Sequence, residues 1–117
     1  MPLLEKDKTD MHSLQRVKSL DEARSQPLPV LLDFGAEWCG PCKQLEPTVA
    51  ELARLYQGEV FIAKVDLDEA PDLAAQLRVM SVPTIVFMRE GTEVGRLVGS
   101  TSKRKIEEKI QTLLRCD

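Results

Sequence analysis

The chain has 117 residues, of which 43% are hydrophobic and 30% are charged. These proportions are typical of one globular domain large enough to bury a core. Sixteen basic and 19 acidic residues give a formal net charge of −3, and the basic residues form no long stripe. We therefore expect neither nucleic acid nor an anionic membrane as the main partner.

The first ten residues are polar and without periodicity, and we interpret them as a tail before a single domain over residues 11–117. Weak alternation over residues 11–17 is compatible with a short edge strand. Ser19 is followed three residues later by Glu22, as in a capping box. This pattern predicts a short helix that ends before Pro27.

The apolar run over residues 29–36 predicts a strand buried on both faces. A helix is predicted from about Gly40, with Pro47 expected to kink it and Gly58 placed to end it. Spacings of three and four residues give this helix one apolar stripe, formed by Leu45, Val49, Leu52 and Leu55 or Tyr56.

A second buried strand is predicted over residues 60–65, and a short helix is predicted near Pro71. Residues 82–88 and 93–98 read as the two strands of a hairpin, and Ser102 can cap a last helix. The order β-α-β-α-β-α-β-β-α predicts a mixed sheet with helices on both faces. The fold class is therefore α/β.

Residues 38–42 read Trp-Cys-Gly-Pro-Cys. At the start of a helix, residues i and i+3 share one face, which places the Cα atoms of Cys39 and Cys42 within the roughly 4.4–6.8 Å of a disulfide. Pro41 suits a first helical turn. Cys39 would then face unpaired backbone N–H groups, which lower the pKa of its thiol. The motif indicates thiol–disulfide exchange.

Two other interpretations of the cysteine pair stay open at this point. The pair can be buried and inert, or it can supply two ligands to a zinc ion. A tetrahedral zinc site needs four ligands, and the spare candidates are His12 and Cys116, one near each end of the chain.

The sequence resembles the thioredoxin family over about residues 11–117. The resemblance depends on Asp33-Phe34, Ala36 to Cys42, Pro47, Lys64, Pro71, Val82-Pro83-Thr84, Gly91 and Gly99. It implies a thioredoxin fold and a protein-disulfide reductase in which Cys39 is the nucleophile and Cys42 resolves the mixed disulfide. The Gly40-Pro41 dipeptide adds no cation beside Cys39, which favours an electron donor over an oxidase or isomerase.

Asp33 is the lone charge in its apolar strand, where burial raises the pKa of a carboxyl group. We expect it to accept a proton from Cys42, through a water molecule, when the mixed disulfide is resolved. Lys64 is the lone charge in the second buried strand. It either pairs with Asp33, so that the two tune each other, or extends to solvent.

The family pattern implies a cis bond between Val82 and Pro83, with the Val82 backbone free to bind an extended substrate. An apolar docking surface for substrates is expected from Trp38, Gly40, Pro41, Val82, Pro83, Gly91 and Gly99. Core packing is the alternative role for Trp38, and turn formation is the alternative for the glycines.

Gly35 departs from the family pattern, which usually has a bulky aromatic residue there. Its small size is expected to leave a void or a looser loop and to shift the redox potential. We interpret Cys116 as an incidental thiol and His12 as a surface residue.

The resemblance further implies that the chain holds no cofactor and receives electrons from an NADPH-dependent flavin enzyme, thioredoxin reductase. Cytosolic enzymes that contain disulfides would accept those electrons. The protein itself is expected to be a monomer. The charged N-terminal residues favour a cytoplasmic location. Alternative functions are an adaptor with a thioredoxin fold, and a secreted oxidase or isomerase.

Overall fold

The computed structural model describes residues 14–115. Five strands and four helices alternate in the predicted order. The strands are β1 (Gln15–Arg16), β2 (Val30–Gly35), β3 (Phe61–Asp66), β4 (Thr84–Arg89) and β5 (Thr92–Val98). The helices are α1 (Leu20–Arg24), α2 (Gly40–Leu55), α3 (Pro71–Gln76) and α4 (Lys103–Arg115).

The strands form one mixed sheet in the order β1-β3-β2-β4-β5. Strands β1, β3 and β2 run parallel, whereas β4 is antiparallel to both β2 and β5. Strand β2 lies at the centre, and every residue in it is buried. This burial explains the continuous apolar sequence of β2, since a central strand covered on both faces has no solvent-facing side.

Helices cover both faces of the sheet, as predicted. Side chains of β2 alternate between the faces, so Leu32 and Phe34 pack with α1 and α3, whereas Leu31 packs with α2 and α4. Asp33 lies on the same face as Leu31 by this alternation. The carboxyl group in β2 is therefore directed toward α2, the helix that begins at the cysteine motif.

Helix boundaries follow local sequence signals. Ser19 caps α1 by accepting a hydrogen bond from the Glu22 backbone N–H at 3.1 Å, as the capping-box pattern predicted. Helix α2 continues through Pro47 to Leu55. Tyr56, not Leu55, completes the buried stripe of this helix, because Leu55 is 56% exposed.

Two expectations about the strands need adjustment. Of the described part of the expected edge strand, residues 14–17, only Gln15 and Arg16 belong to β1. Strand β4 begins at Thr84, because Pro83 lacks the N–H group that a ladder requires. The proposed tail, with His12 and Cys116, lies outside the described residues 14–115.

The sheet topology brings two distant sequence segments to one end of the molecule. Phe34, near the end of β2, is the register partner of Thr84, the first residue of β4. Thr84 in turn pairs with Val98, the last residue of β5. The cysteine motif, the Val82-Pro83 segment and Gly99 therefore all lie at the same end of the strands.

Candidate active site

Cys39 is the N-cap residue of α2. Its backbone is extended (φ −98°, ψ 108°), and its Sγ accepts a hydrogen bond from the Cys42 backbone N–H at 3.2 Å. Pro41 occupies the first turn, where its missing N–H costs nothing. A sulfur atom that accepts such a bond at a helix N-terminus is stabilised as a thiolate, so this geometry favours a low thiol pKa in the reduced protein.

The two cysteines form a disulfide with their Cα atoms 5.3 Å apart. Burial does not distinguish them, since each is 6% exposed. Their surroundings do, because Cys42 lines a small cavity between α2 and the sheet, whereas Cys39 is absent from its lining. Cys39 and Cys42 also pack with Ala36, and Val82 covers this small cluster.

Asp33 is buried beside this cavity. Burial raises the pKa of the Asp33 carboxyl to about 7, an effect that the positive charge of Lys64 opposes and the negative charge of Glu46 reinforces. The Oδ1 atom of Asp33 has no hydrogen-bond partner among residues 14–115. A carboxyl with a pKa near neutrality can take up and release a proton at physiological pH.

The cavity itself suits a proton path. It has about 10 Å³ of room for the centre of a water molecule, close to the smallest volume that holds one water. Asp33 and Cys42 both line it. The space therefore fits the expected transfer of a proton between these two side chains through a single water molecule.

Lys64 is adjacent to Asp33 but does not pair with it. The two residues are register partners on the parallel strands β2 and β3, yet the Nζ of Lys64 donates a hydrogen bond to the Glu46 carboxylate. The prediction of a direct Asp33–Lys64 pair is therefore wrong, but the expectation that Lys64 tunes Asp33 is supported, because the positive charge of Lys64 lowers the pKa of the Asp33 carboxyl. The solvent-extended alternative is also wrong, since the Lys64 side chain is only 15% exposed.

A side chain at Gly35 would meet Cys42, although Gly35 also lines the small cavity described above. A Cβ atom at this position would lie 3.2 Å from the Cβ and 3.3 Å from the Sγ of Cys42, tighter than ordinary van der Waals contact. The expectation of an empty space is therefore wrong at the Cβ position, because Cys42 fills it. Glycine here allows the second cysteine to lie directly against the backbone of β2.

An apolar surface surrounds the cysteine pair. Trp38 is 68% exposed, so core packing is wrong as its role. The Val82–Pro83 bond is cis, and the Pro83 carbonyl accepts a hydrogen bond from the Gly99 N–H at 2.8 Å. Gly40 and Pro41 are exposed in the first turn of α2. Six of the seven predicted docking residues thus lie at one end of the sheet.

Gly91 is the exception. It lies in the turn that joins β4 to β5, beside the Arg89–Thr92 pair, whereas Pro83 and Gly99 adjoin the opposite end of the same strands. At about 3.4 Å per residue, roughly 17 Å of strand separates the two ends. Gly91 has a φ of 80°, so the turn explains this glycine and the docking surface does not.

The sequence interpretation did not single out three residues that the structure places at this end of the molecule. Glu46 lines the cavity and binds Lys64, and its position one helical turn after Cys42 was the available signal. Met80 is 91% exposed two residues before Val82, and Val98 is exposed beside Gly99. Their proximity in sequence to docking residues was the only indication.

Within residues 14–115, no three His, Cys, Asp or Glu side chains are grouped as ligands for a metal ion. His12 and Cys116, the other candidate zinc ligands, fall outside that range. In the same part of the chain, none of the helices combines the length and apolar character needed to cross a membrane.

Comparison with known proteins identifies the family. The model of the family described as Thioredoxin matches residues 13–112. The chain is 44% identical over 81 residues to a thioredoxin of Staphylococcus saprophyticus. The aligned region covers 69% of this chain and 78% of that protein. The chain is also 38% identical over 87 residues to the chloroplastic thioredoxin M-type of Spinacia oleracea, covering 74% of this chain. This chain spans about half of the spinach protein, 48% of its length.

A solved structure agrees with the sequence relatives. The oxidised form of mitochondrial thioredoxin 3 from Saccharomyces cerevisiae superposes with a TM-score of 0.78 at 32% identity, covering 87% of this chain and 97% of that one. The sheet order, the helix that begins at Cys39 and the Cys39–Cys42 disulfide are consistent with that likeness. The chain therefore belongs to the thioredoxin family of protein-disulfide oxidoreductases, with Cys39 and Cys42 as its redox-active pair.

Proposed function

We propose that this protein donates electrons to the disulfides of partner proteins, with Cys39 as nucleophile, Cys42 as resolving thiol and Asp33 as proton acceptor. The observation that supports this assignment best is the asymmetry around the pair. Cys39 caps α2 and accepts an N–H hydrogen bond, whereas Cys42 faces the cavity that Asp33 also lines.

The first step is attack by the Cys39 thiolate on one sulfur of the substrate disulfide. The substrate S–S bond breaks, a Cys39–substrate disulfide forms, and one substrate thiolate leaves and takes a proton from solvent. The helix N-terminus stabilises the Cys39 thiolate at neutral pH. No base beside Cys39 is required for this step.

The second step is resolution by Cys42. Its thiol gives a proton to the Asp33 carboxylate through the water-sized cavity, and the resulting thiolate attacks the Sγ of Cys39. The Cys39–Cys42 disulfide forms as the Cys39–substrate bond breaks, and the second substrate sulfur leaves as a thiolate that takes a proton from solvent. The substrate has gained two electrons, this protein has lost two, and Asp33 later releases its proton to solvent.

Substrate binding is assigned to the residues around the pair, which are exposed except for the partly buried Val82 and Gly99 and the buried Pro83. Trp38, Gly40, Pro41, Val82, Pro83 and Gly99 adjoin the disulfide, and Met80 and Val98 extend the apolar area. No hydrogen bond within residues 14–115 engages the Val82 backbone, which leaves its N–H and C=O groups available to an extended peptide. Gly91 is not part of this surface.

The redox group in this proposal is the cysteine pair itself, without a separate cofactor. Electrons would return to the pair from a thioredoxin reductase that uses NADPH and a flavin, as in the family. Disulfide reduction is useful in a reducing compartment, which supports a cytoplasmic location. We further propose that the protein acts as a monomer, which sedimentation of the purified protein would test.

The test of the proposed roles compares variants in a Cys116→Ser background, so that only the motif cysteines remain. With dithiothreitol as electron source and insulin as disulfide substrate, Cys39→Ser should lose the accelerated reduction. Equal rates for Cys39→Ser and its parent would overturn the proposal and leave the adaptor alternative. When it is first reduced and the dithiothreitol is then removed, Cys42→Ser should instead accumulate a covalent mixed disulfide with insulin chains; no accumulation under those conditions would contradict the assigned order of attack.

A further inference from the structure

Glu46 lies one helical turn beyond Cys42 on α2, so both side chains are on the side of the helix that faces the sheet. The Glu46 carboxylate forms an ion pair with the Lys64 ammonium. Lys64 is largely buried, whereas Glu46 is about one-third exposed, with side-chain exposures of 15% and 38%. Both residues of this pair line the cavity that Asp33 and Cys42 also line.

Lys64 pairs with Glu46 and not with Asp33, although the register of the sheet places Asp33 beside it. Asp33 is the direct neighbour of Lys64 across β2 and β3. Nevertheless, Asp33 Oδ1 is buried and has no hydrogen-bond partner in residues 14–115. The position of the ammonium group beside Glu46 therefore leaves the nearby buried carboxyl without a direct cationic partner.

Other charged groups around Asp33 are accounted for. The groups that line its cavity are Cys42, Lys43 and Glu46 from α2, Glu37 from the preceding loop, and Lys64 and Asp66 from β3. Lys43 pairs with Glu37 at 2.7 Å at the surface. Asp66 accepts a hydrogen bond from the Asp68 N–H at 2.8 Å. From β4, the register partner of Asp33 is the apolar Ile85.

We propose that Glu46 is a positioning residue, which holds the Lys64 ammonium away from the Asp33 carboxyl and thereby fixes the pH at which Asp33 accepts the Cys42 proton. This inference rests on the role of Asp33 proposed above. Among residues 14–115, the hydrogen-bond partner of the Glu46 carboxylate is Lys64. The effect of Glu46 reaches the reaction through Lys64 and Asp33.

The sign of the effect follows from the charges. Replacing Glu46 with glutamine removes a negative charge near Asp33 and frees the Lys64 ammonium to approach it. Both changes favour the ionised carboxylate, so both lower the pKa of Asp33. An approaching cation lowers a carboxyl pKa by about one unit or more, and Asp33 in Glu46→Gln should ionise at correspondingly lower pH.

Two measurements on the full chain test the inference. Carbon-13 NMR titration of the oxidised protein reads the ionisation of Asp33 directly. In a Cys116→Ser background, a symmetric aryl disulfide reads the chemistry of the reduced protein, because attack by Cys39 releases one coloured thiolate and resolution by Cys42 releases the second. In Glu46→Gln, both the NMR midpoint and the pH dependence of the second release should move down by about one pH unit.

Glu51→Gln is the matched control. Glu51 is on the same helix, is similarly exposed and also pairs with a lysine, Lys103, at 3.1 Å, but it does not line the cavity. Its variant should leave the Asp33 midpoint unchanged. An unshifted midpoint in Glu46→Gln, or an equal shift in Glu51→Gln, would overturn the inference.

The Lys64→Met background separates positioning from the direct charge of Glu46. If Glu46 acts through Lys64, adding Glu46→Gln to Lys64→Met should move the Asp33 midpoint by less than half of its effect in the wild type. A full-sized shift in that background would overturn the positioning role. If the NMR midpoint moves while the second thiolate release does not, Glu46 controls the carboxyl as inferred, and the proposed role of Asp33 in the reaction is wrong.

Discussion

Asp33 and Cys42 line one small cavity although they belong to different elements, the central strand β2 and the helix α2. The alternation of β2 directs Asp33 toward the helix, and the first turn of α2 directs Cys42 toward the strand. The resolving thiol and a buried carboxyl are thereby held in the same space. Substitutions of Asp33, Gly35 and the nearby Trp38 have distinct expected outcomes.

Asp33→Asn should stabilise the protein at alkaline pH. The pKa of Asp33 is raised to about 7 in the fold from about 3.9 in an unfolded chain. Because the folded state binds the proton more tightly, stability falls as pH rises from about 4 to about 7, and above that the buried carboxylate costs about 4 kcal/mol at most. Asparagine removes this cost.

Chemical denaturation at pH 8 and pH 4 checks this expectation. Asp33→Asn should gain about 2–4 kcal/mol over the wild type at pH 8, and the gain should nearly vanish at pH 4. Asp68→Asn, at an exposed position, should change stability by less than about 0.5 kcal/mol at either pH. A gain that is the same at both pH values would mean that ionisation of Asp33 is not its source.

Gly35→Ala should make the disulfide easier to reduce. The added methyl group would lie within 3.3 Å of Cys42 atoms, and the disulfide prevents the Cys42 side chain from rotating away. The reduced thiol has that freedom, so the substitution should destabilise the oxidised form more than the reduced form. A difference of about 1 kcal/mol corresponds to roughly 20 mV, toward a less negative potential.

Equilibration with glutathione buffers measures that potential. Gly95→Ala serves as the control, because its added methyl group would meet only the end of Lys109 at 3.8 Å and lies on β5 away from the pair. Its potential should match the wild type. An unchanged or more negative potential for Gly35→Ala would show that Cys42 adjusts to the methyl group in the oxidised form.

Trp38→Ala should impair substrate binding without loss of stability. The indole is mostly exposed, so its removal leaves no cavity and should change the free energy of unfolding by less than about 0.5 kcal/mol. A buried aromatic contact with substrate is worth about 1 kcal/mol or more, so KM for insulin should rise several-fold.

Leu55→Ala is the comparison for Trp38→Ala. Like Trp38, Leu55 is a large exposed apolar residue. It is the last residue of α2, at the end of that helix away from the cysteine motif. Its KM for insulin should be unchanged. If both variants raise KM equally, the docking surface is misplaced; if Trp38→Ala strongly destabilises the protein, the indole has a packing role after all.

The fold could be predicted from the sequence because its local signals agree with one another. The buried strand before Trp38, the proline in the first turn of α2 and the glycine of the β4–β5 turn each specify a local conformation. Element order then followed from periodicity. Strand ends were less certain, because the start of β4 depends on the missing N–H of Pro83 and not on hydrophobicity.

The site was predicted in part. Cys39, Cys42 and Asp33 have sequence signatures of their own, namely the motif and a lone charge in an apolar strand. The ion-pair partner of Lys64 has no such signature. It depends on whether the ammonium group reaches Asp33 or Glu46, and Glu46 belongs to a different element, the helix α2. Gly91 was assigned to the docking surface from the family resemblance, although the predicted hairpin over residues 82–88 and 93–98 already places it in the turn, at the end opposite Pro83 and Gly99.

The central claim is that Asp33 accepts the proton of Cys42, and the rate of resolution tests it most directly. In stopped-flow experiments with the symmetric aryl disulfide, Asp33→Asn should release the first thiolate at the wild-type rate. Release of the second should be about 10²-fold slower and should lose its pH dependence near 7. Asp66→Asn, which alters another carboxyl that lines the cavity, should leave both steps unchanged. An Asp33→Asn variant that releases the second thiolate at the wild-type rate, with the wild-type pH dependence, would contradict the account.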